Sequence, residues 1–285
     1  MKPAELYYKE KDKVRCLACA HKCLISEGRR GICKVRENVN GELILLVYGK
    51  VVSSNVDPIE KKPLYHFLKG SKSFSIGTVG CNFRCDFCQN WDISQASKQG
   101  FIGGRDVTPR GIVEEAIRAG CRSISYTYNE PVVFIEFVRD VARIAKDKGL
   151  KNIMVTNGYW SQEVFNYIYR YIDAVNIDLK GNEKFYNKYC GGNQKPVLDT
   201  IKRCYEAGIH IEITTLVIPG LNDKKEDFEF IAKFLVSLDK NIPWHISRFF
   251  PMYKMTKSRI TPEETLEEAE KIGKKYLNYV YLGNI

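Results

Sequence analysis

Three cysteines, Cys81, Cys85 and Cys88, stand in the run Gly80-Cys-Asn-Phe-Arg-Cys-Asp-Phe-Cys-Gln-Asn-Trp91, a C-x3-C-x2-C spacing. Three thiolates in one tight loop can ligate three irons of a cubic [4Fe–4S] cluster and leave the fourth iron without a protein ligand. A cluster that only carries electrons normally has four protein ligands, whereas an open iron is ready for a substrate or cofactor. Structural zinc takes four ligands in tetrahedral geometry, and this loop offers three. The spacing points to a redox enzyme.

A second set lies upstream, Cys16-x2-Cys19-x3-Cys23-x9-Cys33, with His21 inside it. Four cysteines this close read as one metal site. Zinc would need only that tetrahedron and would give a small module enough stability to fold. An auxiliary iron–sulfur cluster uses the same ligands; zinc is favoured because nothing in the spacing demands redox chemistry. Cys121, Cys190 and Cys204 stand alone and read as buried apolar residues. Gly191-Gly192 after Cys190 would also allow a mobile loop near the site.

The C-x3-C-x2-C loop, with Phe87 before its last cysteine, resembles the signature of radical SAM enzymes. The resemblance implies that the open iron binds the amino and carboxylate groups of S-adenosylmethionine, with Phe87 packed on the adenine. It also gives roles to downstream residues. Tyr128-Asn129-Glu130 looks like the segment that binds the methionine ammonium, with Glu130 as the charge-assisted acceptor. Val155-Thr-Asn-Gly158 and Ile177-Asp-Leu-Lys180 resemble motifs of glycyl-radical-enzyme activases. By that likeness Asn157 contacts the nucleoside, Lys180 the methionine carboxylate, and Asp178 a monovalent cation. Val155 stands where the activases carry a further acidic cation ligand. His245 matches a histidine that touches the ribose, and Arg248 is expected to face an anionic substrate inside the barrel.

Nearly the whole chain resembles the AmmeMemoRadiSam-system radical SAM enzymes, relatives of pyruvate formate-lyase activating enzymes. Gly31-Ile-Cys-Lys-Val-Arg36, Thr127-Tyr-Asn-Glu-Pro131, Thr215-Leu-Val-Ile-Pro-Gly-Leu-Asn-Asp223 and Tyr281-Leu-Gly-Asn284 carry that likeness together with the cysteine loop. It implies reductive cleavage of S-adenosylmethionine to a 5′-deoxyadenosyl radical that takes a hydrogen atom from substrate. It further implies an electron donor such as ferredoxin or flavodoxin. The substrate is expected to be a small molecule, or a protein that gains a glycyl radical; RNA is the third reading.

These residues need a frame that brings distant loops together. From Ser73 onward, short apolar runs alternate with helical periodicity. Strands are expected at Phe74–Val79, Ser123–Thr127, Asn152–Thr156, Ala174–Asp178, His210–Val217, His245–Phe249 and Tyr279–Leu282. Helices are expected from Thr108-Pro109 to Gly120, Pro131 to Lys148, Lys224 to Leu238 and Pro262 to Tyr276. Such alternation builds a parallel sheet, here a partial (β/α)6-type barrel with its chemistry at the C-terminal strand ends. The expected division is an N-terminal cysteine module and linker over 1–67 and the barrel over 68–285.

The 285 residues are 44% hydrophobic and 12% aromatic, enough for a large core. No run approaches the ~18 apolar residues of a membrane span, and the charged N-terminus lacks an apolar signal core. The expected compartment is the cytoplasm, which also disfavours disulfides among the ten cysteines. Net charge is +10, but lysines are interleaved with glutamates, as in 263–275, so the composition argues for a solvated surface rather than a nucleic-acid partner.

Overall fold

The computed structural model describes residues 1–285. Its main sheet holds eight strands in chain order: β1 (Ser53–Pro58), β2 (Lys72–Gly77), β3 (Ser123–Tyr126), β4 (Lys151–Thr156), β5 (Ala174–Asp178), β6 (His210–Val217), β7 (Trp244–Arg248) and β8 (Val280–Gly283). Neighbours from β2 to β8 pair in parallel. β1 runs antiparallel to β2, with Ser53 opposite Gly77 and Pro58 opposite Lys72. β1 and β8 do not pair, so the barrel stays open along one side.

A helix of at least seven residues follows each of the first six parallel strands: α1 (Pro109–Arg118), α2 (Ile135–Asp147), α3 (Gln162–Ile168), α4 (Lys195–Glu206), α5 (Lys225–Val236) and α6 (Glu263–Gly273). The periodicity marked four of them. α3 is only seven residues long, whereas α4 carries Val197, Ile201 and Cys204 on one face at helical spacing, a signal that the sequence reading passes over among its polar neighbours. α2 buries Phe137, Val138, Val141 and Ala145 while Arg143 faces outward. Thr108 and Ser161 cap α1 and α3, their hydroxyls accepting from Gly111 N at 3.1 Å and Val164 N at 3.0 Å. The strands are almost continuously buried, since helices cover one face and side chains fill the other.

The N-terminal region forms two small antiparallel sheets from Lys2–Pro3, Arg36–Val39 and Glu42–Leu45, and from Tyr7–Glu10, Lys13–Cys16 and Leu24–Ile25. It has its own small core around Val14, Ile25 and Leu43. A fully buried ion pair fixes it to the barrel: Arg36 donates to Glu136 on α2 at 2.9 and 2.5 Å, and to the Val133 carbonyl at 3.1 Å. The expected division at 67 is displaced in the sheet. Residues 53–58 are a strand of the barrel, and 59–67 cover the N-terminal strand ends. There Ile59 and Leu64 pack on Ile153 and Ala174, and Glu212 accepts from Tyr65 N and His66 N. Six backbone pairings to β2 make that segment part of the sheet despite its linker-like Asp57-Pro58.

Candidate active site

The C-terminal ends of β2 to β7 surround a cavity of about 220 Å³. Residues after β2 supply Cys81, Cys85, Phe87 and Cys88. Those after β3 supply Asn129 and Glu130, the end of β4 Asn157, and the end of β5 Asp178 and Lys180. Nine residues singled out in the sequence thus share one cavity, although they span positions 81 to 180. Thr214, Leu216 and Ser247 complete the wall.

The cysteine loop is held by backbone geometry and by two amides. Gly80 has φ 98°, and a Cβ there would meet Val35 Cγ1 at 2.6 Å, so only glycine allows the loop to turn against the N-terminal module. Asn129 accepts from Thr78 N at 3.2 Å and donates to Thr78 Oγ1 and the Gly80 carbonyl at 3.1 and 2.8 Å. Asn157 donates to Asn82 Oδ1 at 2.8 Å and accepts from Tyr159 N at 3.0 Å. Both asparagines line the cavity, but their amides brace the loop. Cys88 Sγ lies 3.2 Å from Ser94 Oγ, and Cys81 Sγ accepts from Phe83 N at 3.4 Å.

Glu130 is buried and accepts three hydrogen bonds: from Asn157 N at 2.7 Å, Thr156 Oγ1 at 2.7 Å and Val132 N at 3.2 Å. It therefore caps the turn that starts α2 while also lining the cavity. Burial raises its carboxyl to about 7 despite those donors. Across the cavity, Lys180 Nζ lies 2.7 Å from Asp178 Oδ2 and 6.0 Å from the Phe87 ring centre. Desolvation opposes the charge of Lys180, but Asp178 holds the ammonium well above its ordinary range.

Two expected residues lie elsewhere. His245 Nε2 is 2.6 Å from Glu212 Oε2, and its ring sits between Tyr65 and Tyr281. It lines an opening between β1 and β8 that meets the cysteine cavity at Tyr128, Thr214 and Ser247, and its Nε2 is engaged by Glu212. Arg248 turns outward to the Thr261 carbonyl at 2.8 Å and Glu263 at 2.9 Å, and does not offer its charge to the barrel interior.

The Radical SAM superfamily pattern matches residues 75–235, more than half of the chain. The chain belongs to the radical SAM superfamily. An uncharacterized protein of Methanocaldococcus jannaschii is 47% identical over 288 residues, spanning 100% of this chain and 86% of that protein. The pyruvate formate-lyase 1-activating enzyme of Escherichia coli K12 is 24% identical over 217 residues, 69% of this chain and 86% of that enzyme. A radical SAM methyltransferase from Sphaerobacter thermophilus shares the fold, with TM-score 0.56 and 16% identity over 76% of this chain and 67% of that one. This radical SAM protein is accordingly an enzyme, homologous to pyruvate formate-lyase activating enzymes. Membership implies a [4Fe–4S] cluster and S-adenosylmethionine.

The residues present fit that pair of groups. Three thiols, a buried carboxylate able to accept from an ammonium, a lysine able to meet a carboxylate and an aromatic ring line one cavity. Burial raises Cys81 and Cys88, and contact with the Cys190 thiol raises Cys85, so cationic iron is needed to deprotonate them. Cys190, read from the sequence as a buried apolar residue or as part of a mobile loop near the site, is fully buried against the cysteine loop, its carbonyl accepting from Arg84 N at 2.9 Å.

Cys16, Cys19, Cys23 and Cys33 line one small apolar cavity, together with Arg36 and Asn82. The Asn82 side-chain N–H group is buried without an acceptor, as a donor to a thiolate sulfur would be. As they stand, the side chains bring no three such groups to the spacing of a bound ion. The four cysteines are the donor types of a four-thiolate site.

No helix is long and apolar enough to cross a membrane.

Proposed function

We propose that the protein is a radical SAM enzyme of the AmmeMemoRadiSam-system type, which cleaves S-adenosylmethionine and abstracts a hydrogen atom from its substrate in the barrel mouth. One observation carries the reading: Cys81, Cys85, Cys88, Glu130 and Lys180, from three separate strand ends, line a single cavity. When bound, the reduced cluster would supply one electron to break the S–C5′ bond and leave a carbon radical for hydrogen abstraction. The chain's own residues bind and orient. Glu130 would accept from the methionine ammonium, Lys180 would meet its carboxylate, and Phe87 would face the adenine. Asn129 and Asn157 act through the loop they brace. The Cys16–Cys33 set would hold zinc.

The kinship with pyruvate formate-lyase activating enzymes supports a second reading, radical generation on a glycine of a protein partner. The open side of the barrel, between β1 and β8, favours a large substrate. Either reading requires 5′-deoxyadenosine from the reduced, iron-loaded protein given S-adenosylmethionine. Formation should disappear in the Cys81/Cys85/Cys88 triple-alanine variant. An intact, reducible cluster that neither binds S-adenosylmethionine nor yields the product would refute the proposal.

A further inference from the structure

The loop carrying Cys81, Cys85 and Cys88 is a thin wall with two faces. Cys81, Phe83, Cys85 and Phe87 line the active-site cavity, whereas Asn82 and Arg84 line a separate open cleft of about 490 Å³. The cysteine-rich module forms one side of the cleft through His21, Ile32 and Lys34. His21 Nε2 seals the junction, 2.9 Å from the Asn82 carbonyl.

The cleft is cationic. Lys34, Arg84 and Lys98 line it, and no aspartate or glutamate does. Lys34 and Arg84 are exposed and stand apart from the ion pairs that occupy nearby Lys22 with Glu163 and Lys254 with Asp86. Lys98 donates to the Phe83 carbonyl at 2.6 Å and to Gln95 Oε1 at 2.7 Å, which fixes its charge against the back of the cysteine loop. Glu183, behind Asn187, is engaged by Asn187 Nδ2 at 2.9 Å and Gln194 N at 2.7 Å. Ile32 is 46% exposed and adds an apolar contact inside the cationic rim, a combination suited to a protein surface rather than a free anion.

We propose that this cleft docks a small acidic one-electron carrier protein, which reduces the cluster through the back of its loop. The inference rests on the radical SAM reading of the cysteine loop. Cofactor and substrate would occupy the cavity face, so an electron carrier needs a route from the other side. The cleft places one there, with a single layer of loop in between. One electron leaves the carrier and enters the cluster, and no bond forms or breaks in that step. Positive charge at the cleft would steer a negatively charged partner and set its orientation.

The test uses iron-loaded full-length protein and a reduced acidic ferredoxin, with cluster reduction followed by freeze-quench electron paramagnetic resonance. At low ionic strength, Lys34→Glu/Arg84→Glu should slow reduction by about tenfold or more. Added salt should slow the wild type and leave the variant nearly unchanged. Dithionite should reduce the cluster of Lys34→Glu/Arg84→Glu to the same extent as wild type, showing that the cluster itself is intact. Equal rates and equal salt dependence with ferredoxin would overturn the docking proposal alone. A wild-type cluster that dithionite cannot reduce would overturn both this proposal and the enzymatic reading beneath it.

Discussion

Glu130 concentrates the chemistry of the cavity in one side chain. Its three donors hold the carboxylate in place, yet burial raises its pKa from 4.5 to about 7. A raised carboxyl stabilises the fold fully below its unfolded value, and that contribution is lost as pH rises through about 7. Binding an ammonium runs the other way, because only the ionised form attracts it. S-adenosylmethionine should therefore bind the iron-loaded protein more weakly at pH 6 than at pH 8, by roughly tenfold. Glu130→Gln should bind more weakly by about one to two orders of magnitude and show a smaller pH dependence than the wild type. Calorimetric titration at the two pH values reads both effects; a variant that keeps the wild-type profile would remove Glu130 from the ammonium site.

At the scale of elements, the decisive joint is between α2 and the N-terminal module. Arg36 and Glu136 are fully buried and exchange two hydrogen bonds. Breaking a buried pair strands a charge away from water, which costs about 3–5 kcal/mol, whereas replacing both partners by apolar groups can be nearly neutral. Glu136→Ala should thus lower the urea midpoint of unfolding sharply, and Arg36→Met/Glu136→Leu should recover most of the loss. A double variant as unstable as the single would show that the pair is not the joint. The Asn-Glu-Pro sequence places Glu130 at the start of this same helical segment, so movement of α2 would also reach the cavity.

For the whole molecule, the two cysteine sets are structurally linked but chemically separable. Ser97 Oγ donates to the Cys33 carbonyl at 2.9 Å, and Asn82 borders the module's cavity directly beside Cys81. Even so, each set has its own cysteines and its own cavity. The Cys81/Cys85/Cys88 triple-alanine variant should retain about one zinc per chain and lose its iron, as measured by elemental analysis of the purified protein. Iron remaining with zinc absent would assign the second set to an iron–sulfur cluster. Prolonged chelation of the wild type should loosen the first 50 residues before the barrel, visible as selective proteolysis there.

The chemistry was written locally. Cysteine spacing, the Tyr-Asn-Glu-Pro run and Asp178-Leu-Lys180 each declare themselves over a few residues, because a ligand loop or strand end fixes its groups by short-range geometry. Strand and helix order was legible for the same reason, through buried β-branched runs and the apolar face of α2. Long-range packing decided the rest. Gly191-Gly192 hints that Cys190 lies near the site but not that it touches Cys85, and nothing near His245 foretells Glu212 as its partner. Val56 to Pro63 reads as a linker, yet pairing with β2 takes residues 53–58 into the sheet. Spacing along the chain specifies which groups can act together locally; which distant surfaces meet depends on burial summed over the whole fold, which no short segment contains.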